Sequence, residues 1–251
     1  MKAIDFDPDM PYDTNLYLTG KSWSYPYDLF PELEPVSFPS DHINPHLPKC
    51  ALSTDGKWAY CRKLVKAQKE LTTFLGSRTG SARFDSDVVL PQIWEKYSRE
   101  GWQLWMSFTP SEHFSLRAGE RKARGHTVIA GLGMGYQLLR VAHKPSVKRI
   151  TVVELSQSLV DFVWPKIKNF LPENKPVDLV IGSAYEVMPE LHADVALVDI
   201  YETYGNNRSA LEALQWRCPN IDKWWGWGTA PINPPESYGG FGWALIFGNV
   251  K

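Results

Sequence analysis

Three glycines alternate in the run Val128-Ile-Ala-Gly131-Leu-Gly133-Met-Gly135-Tyr-Gln, with an apolar stretch before them and a helix-like stretch after. A turn of this kind lets the backbone approach a ligand and points a helix N-terminus at it. The dinucleotide fingerprint wants Gly or Ala three residues after the second glycine, and Tyr136 stands there instead. A dinucleotide is therefore disfavoured. Glu154 closes the next apolar run, 19 residues after Gly135. An acid at that place can accept hydrogen bonds from both hydroxyls of a ribose. Ser183 and Ala184 follow a third run, where residues flank a nucleobase. Ser183 with Glu186 also has the spacing of a capping box, so a plain helix cap explains it equally well. Asp199 and Glu202 follow a fourth run. Two carboxylates three apart in a loop can orient an amine or take its proton. A strand-end Asp that merely holds loop N–H groups is the plainer alternative.

These residues need strands and helices in strict alternation to bring them together. The sequence supplies them from residue 126 on. Strands are expected over 127–130, 149–154, 177–181 and 194–199, and helices over 136–143, 158–170, 184–191 and 207–216, with Pro165 kinking or splitting the second. Each strand is a nearly continuous apolar run, as in a parallel sheet covered on both faces. The fold class expected is α/β, a Rossmann-like doubly wound, mostly parallel sheet of five to six strands. A last strand candidate lies over 241–247.

Ahead of this block the chain reads differently. Residues 1–50 hold 8 of the 19 prolines and many aromatics, and an irregular, surface-wrapping segment is expected there. Tyr60, Leu64, Ala67, Leu71 and Phe74 fall at spacings of 4, 3, 4 and 3, which predicts an amphipathic helix over 57–75. A weaker helix is expected over 88–99 and a short strand over 103–108. Thr109-Pro-Ser-Glu112 has the form of a capping box with proline at the first helical position, starting a helix that runs to about Ala123. The expected division is an N-terminal extension over 1–104 and a Rossmann-like domain with a Trp-rich tail over 105–251.

The run from Val128 to Asp199 resembles the core of class I S-adenosylmethionine-dependent methyltransferases. Within that superfamily its wording is similar to spermidine-synthase-like proteins, in Gly131-Leu-Gly-Met-Gly135, Lys144 to Glu154, Ile181 to Leu191, and Val198-Asp199. Upstream, Trp105-Met-Ser-Phe-Thr-Pro-Ser-Glu112 is similar to small methyltransferase-like proteins of bacteriophages. The resemblance covers about 95 residues, 105 to 199. It implies that Gly131, Gly133 and Gly135 cradle the methionine part of S-adenosylmethionine, Glu154 its ribose, and Ser183 with Ala184 its adenine. It implies catalytic work at Asp199 and Glu202. Two departures stand out. The family usually has an acid where Ser183 stands, and aminopropyltransferases carry Asp-x-x-Asp where this chain has Asp199 and Glu202.

The expected function is methyl transfer from S-adenosylmethionine to an acceptor that no motif names. The alternatives are aminopropyl transfer from decarboxylated S-adenosylmethionine, and a nucleoside-binding or structural protein without turnover. Asn233-Pro-Pro-Glu236 stands too far past the fourth strand for an amino-group methyltransferase loop and reads as a surface loop.

The remaining composition bounds the partners. A net charge of −1 over 251 residues gives no general electrostatic grip on nucleic acid or anionic lipid. No run approaches the ~18 apolar residues of a membrane span, and no signal peptide is evident. Cys50, Cys61 and Cys218 form no metal-ligand pattern and read as reduced thiols of a cytoplasmic protein. His113, His126 and His143 have no metal spacing, so no metal is expected. Of 11 tryptophans only Trp164 falls within 126–199. The others suit a cap, an acceptor pocket or the interface of a homo-oligomer.

Overall fold

The computed structural model describes residues 2–23, 27–37, 49–75, 78–97, 101–201 and 207–229. Glu202, the 233–236 loop and the 241–247 strand candidate lie outside them. The described residues fall into two compact units that divide between Ser115 and Leu116.

The first unit is built from strands: β1 Asn15–Leu18, β2 Ala51–Leu52, β3 Trp58–Val65, β4 Leu71–Leu75, β5 Arg78–Phe84, β6 Val88–Tyr97 and β7 Gly101–Ser107. They form a three-stranded sheet, β1-β5-β4, and a four-stranded one, β2-β3-β6-β7. The helix expected over 57–75 is therefore two strands. Its apolar stripe fits a helix, but the residues flanking Tyr60 are apolar too, in the unbroken run Trp58-Ala-Tyr-Cys61. Trp58, Ala59, Tyr60 and Cys61 are all buried, as a strand covered on both faces requires. Gln68, at φ 63°, turns the chain between the two strands. The helix expected over 88–99 is β6. Val88, Val89 and Ile93 favour a strand, and Pro91 in mid-run removes a helical donor. The N-terminal segment is not wholly irregular either, since β1 runs parallel to β5 from Asn15↔Ser81 to Leu18↔Phe84.

Its aromatics pack inward. Phe6 meets Trp23 and His113 edge-on at 4.6 and 5.0 Å, and Tyr12 meets Phe114 at 5.4 Å. Trp23, Trp58, Trp94 and Trp102 are buried. Much of the tryptophan excess thus fills this unit's core.

Cys50 and Cys61 are joined in a disulfide, which corrects the reading of three reduced thiols. The cause is register. Ala51 pairs with Tyr60, so the next step back sets Cys50 opposite Cys61, with Cα atoms 4.6 Å apart. Spacing along the chain carries no trace of this. Cys218 is free and buried, and burial pushes its thiol up. Unfolding without reductant should expose one alkylatable cysteine, and three with reductant, as counted by mass. Closing the 11-residue loop should contribute about 3 kcal/mol to stability.

The second unit alternates as its sequence predicts. After α1 (Pro110–Lys122), which begins in the first unit, come β8 Gly125–Ala130, α2 Tyr136–Ala142, β9 Val147–Glu154, α3 Gln157–Ile167, β10 Val177–Ile181, α4 Ala184–Val187, β11 Ala193–Val198, α5 Arg208–Arg217 and β12 Ile221–Gly226. Thr109 caps α1, its Oγ1 accepting from the Glu112 N–H at 3.2 Å. Pro165 does not split α3. It sits in the last turn, where only one bond is lost, and the helix gives way to a 3₁₀ turn at Lys168–Phe170.

The five strands are all parallel in the order β10-β9-β8-β11-β12. The chain lays down three strands in one direction, then returns to the other side of β8. This is the doubly wound, Rossmann-like architecture, with its switch point between β8 and β11. β12, inside the tryptophan-rich stretch, lies outside the expected strands and is the fifth of the sheet among the described residues. On one face Val128, Ala130, Val153, Ala196 and Val198 form a core with Ala184 and Met188 and with Leu211 and Leu214 of α5. The alternate residues Ile129, Val152 and Leu197 are buried on the other face. There α1 lies so close to β12 that a Cβ on Gly119 would meet the Trp225 ring at 2.5 Å. Among the described residues no helix is long and apolar enough to cross a membrane.

Candidate functional site

The carboxyl ends of β8, β9, β10 and β11 form one edge of the sheet, and most of the chemistry-bearing residues gather there. Gly131 leaves β8 at φ 97° and donates its N–H to Val153 O at 2.9 Å. A Cβ on it would lie 2.1 Å from Asp199 O. The loop thus folds directly over the end of β11, and only glycine permits the approach. Asp199 in turn donates its N–H to Ala130 O at 2.9 Å. Residues 68 positions apart in sequence become neighbours because β11 returns beside β8.

Glu154 is nearly buried, 9% exposed. Its Oε2 accepts from Leu132 N and its Oε1 from Ser156 N, both at 2.8 Å. The carboxylate therefore clamps the glycine loop to the end of β9. Each oxygen keeps further lone-pair capacity for a hydroxyl donor. Gly182 N donates to Glu154 O at 2.9 Å, which fixes β10's exit beside it. Ser183 caps α4, its Oγ accepting from Tyr185 N at 3.3 Å. Ala184 is buried in the core beneath.

Electrostatically, Asp199 differs from an ordinary strand-end acid. Loss of water around its carboxyl pushes its pKa up from 3.8 to about 7. Burial, and then Tyr185, push the Tyr201 phenol up as well. A carboxyl that titrates near neutrality can take a proton from an attacking group and release it again.

The edge also holds residues the sequence reading passed over. Leu155, 73% exposed, follows Glu154, and Ile181 is the register partner of Glu154. Both offer apolar surface beside the acid. Gln137, in the first turn of α2, is 7% exposed, and neither of its amide atoms has a hydrogen-bond partner among the described residues. A single amide in the apolar run Tyr-Gln-Leu-Leu was the available signal.

No family model matches the chain, and no curated protein sequence matches it. Solved structures do. The chain is similar to precorrin 8w decarboxylase of Methanobacterium thermoautotrophicum, at 18% identity over 41% of this chain and 53% of that one, with a TM-score of 0.31. It is similar to a spermidine synthase in complex with the transition state analogue AdoDATO, at 13% identity over 73% of this chain and 62% of that one, TM-score 0.35. The spermidine synthase of Thermotoga maritima gives 13%, 73%, 62% and 0.34. The chain thus spans about half to three-fifths of the length of the chains it matches. Likeness at this level says nothing of activity, and the fold assignment rests on the sheet order above. No group of three metal-ligating side chains stands together among the described residues.

Proposed function

We propose that this chain binds S-adenosylmethionine at the carboxyl edge of its parallel sheet and transfers the methyl group to an acceptor. The observation that carries the reading is the convergence of Gly131, Glu154 and Asp199 at the switch point between β8 and β11. Ligands of open α/β sheets bind at that point. The residues present fit the group. The loop at Gly131, Gly133 and Gly135 has backbone in place of side chains, Glu154 has acceptor capacity for ribose hydroxyls, and Leu155 and Ile181 present apolar surface to a base. Ser183 and Ala184 stand at the base's edge. The resemblance in sequence assigns the same parts.

When bound, S-adenosylmethionine supplies a methyl group on a sulfonium sulfur. The chain's own work is to position, to exclude water, and to handle one proton. Asp199 accepts that proton from the acceptor. Glu202, the second acid of this reading, stands three residues further on in the sequence, outside the described residues. One observation favours a second reading, aminopropyl transfer from the decarboxylated donor: a carboxyl titrating near 7 also suits deprotonation of an amine.

Calorimetry with S-adenosylmethionine, its decarboxylated form and S-adenosylhomocysteine tests both. Binding of the first and third is expected. Preference for the decarboxylated form would favour aminopropyl transfer, and binding of none would end both readings. Glu154→Ala should weaken nucleoside binding by roughly 10- to 100-fold, since it removes charged acceptors and frees the loop amides of Leu132 and Ser156. Unchanged affinity would remove the ribose assignment.

A further inference from the structure

We infer that Gln137 reads the α-amino-acid end of the bound donor and so selects the carboxylated sulfonium nucleoside over the decarboxylated one. The inference rests on the proposed binding of S-adenosylmethionine and deepens it.

Buried amides are nearly always paired, because leaving them unpaired costs free energy. Gln137 breaks this rule twice: both Nε2 and Oε1 are buried and lack a partner among the described residues. It is the one residue with two atoms in that condition among those described. A cost of this kind is tolerated where a ligand relieves it.

Position says which part of the ligand. Gln137 is the second residue of α2 and stands two places after Gly135, the last glycine of the loop. Arg140 lies one turn further along the same helix face and holds Glu120 of α1 at 3.2 Å. The Gln137 amide is therefore on the α1-facing side of α2, at the end nearest the glycine loop. Glu154 lies across that loop, with the ribose assigned to it. With the ribose at Glu154, the amino-acid chain on the sulfonium at its 5′ carbon is assigned to the other side of the loop, where Gln137 stands.

Chemistry says what it reads. An amide offers one donor group and one acceptor. The α-amino-acid head offers the reverse, a carboxylate acceptor and an ammonium donor. Nε2–H donates to the carboxylate while Oε1 accepts from the ammonium. The decarboxylated donor keeps only the ammonium and leaves Nε2 unpaired. Methylthioadenosine, with neither group, leaves both unpaired. A site built to hydrogen-bond a group rejects the analogue that lacks it.

The test is calorimetry on the full chain with S-adenosylmethionine, its decarboxylated form and methylthioadenosine. The expected order of affinity is the order just given, with at least a tenfold step at the loss of the carboxylate. Gln137→Met should collapse that step and should melt no lower than wild type, because the Gln137 amide has no hydrogen bond to lose among the described residues. Gln137→Glu should invert the step, repelling the carboxylate and holding the ammonium. Wild type that binds the decarboxylated form as tightly as S-adenosylmethionine overturns the inference while leaving the site in place. So does a Gln137→Met variant that keeps the full step. If wild type binds none of the three, the proposed function falls, and this inference with it.

Discussion

Gly131→Ala is expected to lower the stability of the second unit by about 3 to 5 kcal/mol and to abolish nucleoside binding. Two costs add. The residue sits at φ 97°, where an L side chain is strained by about 1 to 3 kcal/mol. The new methyl would also lie 2.1 Å from Asp199 O, which is backbone and cannot rotate away. Relief requires the loop and the end of β11 to separate, which breaks the Gly131–Val153 and Asp199–Ala130 bonds that hold this edge together. Gly56 provides the control. It also has positive φ, at 68°, but nothing lies within 4 Å of a Cβ there. Gly56→Ala should therefore cost only about 1 kcal/mol and leave binding intact. Denaturant titration of both variants, with calorimetry on the folded protein, separates strain from collision. Equal losses in the two would mean that the close approach at Asp199 contributes nothing.

The same geometry shows where sequence reading reaches and where it stops. From β8 to β11 each strand carries a short apolar run between turn residues, and the helical stripes between them do not overlap it, whereas β12, Ile-Asp-Lys-Trp-Trp-Gly, has no such run. The strand expected over 177–181 is β10 to the residue. In the first unit the signals coincide. Tyr60 and Leu64 of β3, with Ala67 beyond it, mimic a helical stripe because β3 opens with Trp58, Ala59, Tyr60 and Cys61 buried on both faces, with no alternation there to contradict it. Anything that depends on register was out of reach. Cys50 meets Cys61 because β2 and β3 pair at Ala51↔Tyr60, and Gly131 meets Asp199 because β11 lies beside β8. Neither contact leaves a mark in spacing. The clamp that Glu154 places on Leu132 N is of the same kind. An acid at a strand end is visible in sequence, but what it holds depends on how the loop returns.

Asp199→Asn should act with opposite signs on stability and on turnover. In the folded chain the Asp199 carboxyl titrates at about 7, against 3.8 ordinarily, because desolvation penalises its charge. Below pH about 4 the carboxyl is protonated in both folded and unfolded chains, and stability is at its full value. Between about 4 and 7 the unfolded chain gives up the proton and the folded chain keeps it, so stability falls as pH rises. Above 7 both are ionised and the loss is complete. Three units at about 1.4 kcal/mol each set that loss at roughly 4 kcal/mol at most. Asparagine carries no charge at any pH. The variant should match wild type near pH 4 and exceed it at pH 8, by up to that amount, in denaturant titrations across the range. Turnover should move the other way. Wild-type transfer should rise with pH through about 7, as the carboxyl ionises and becomes able to accept a proton. The variant should be flat with pH and slower by about 10²- to 10⁴-fold, the usual contribution of a positioned base. A residue retained at a cost in stability and required for rate is what a proton acceptor at this edge must be. Asparagine that neither stabilises at pH 8 nor slows transfer would make Asp199 only a strand-end acid holding the loop beside it.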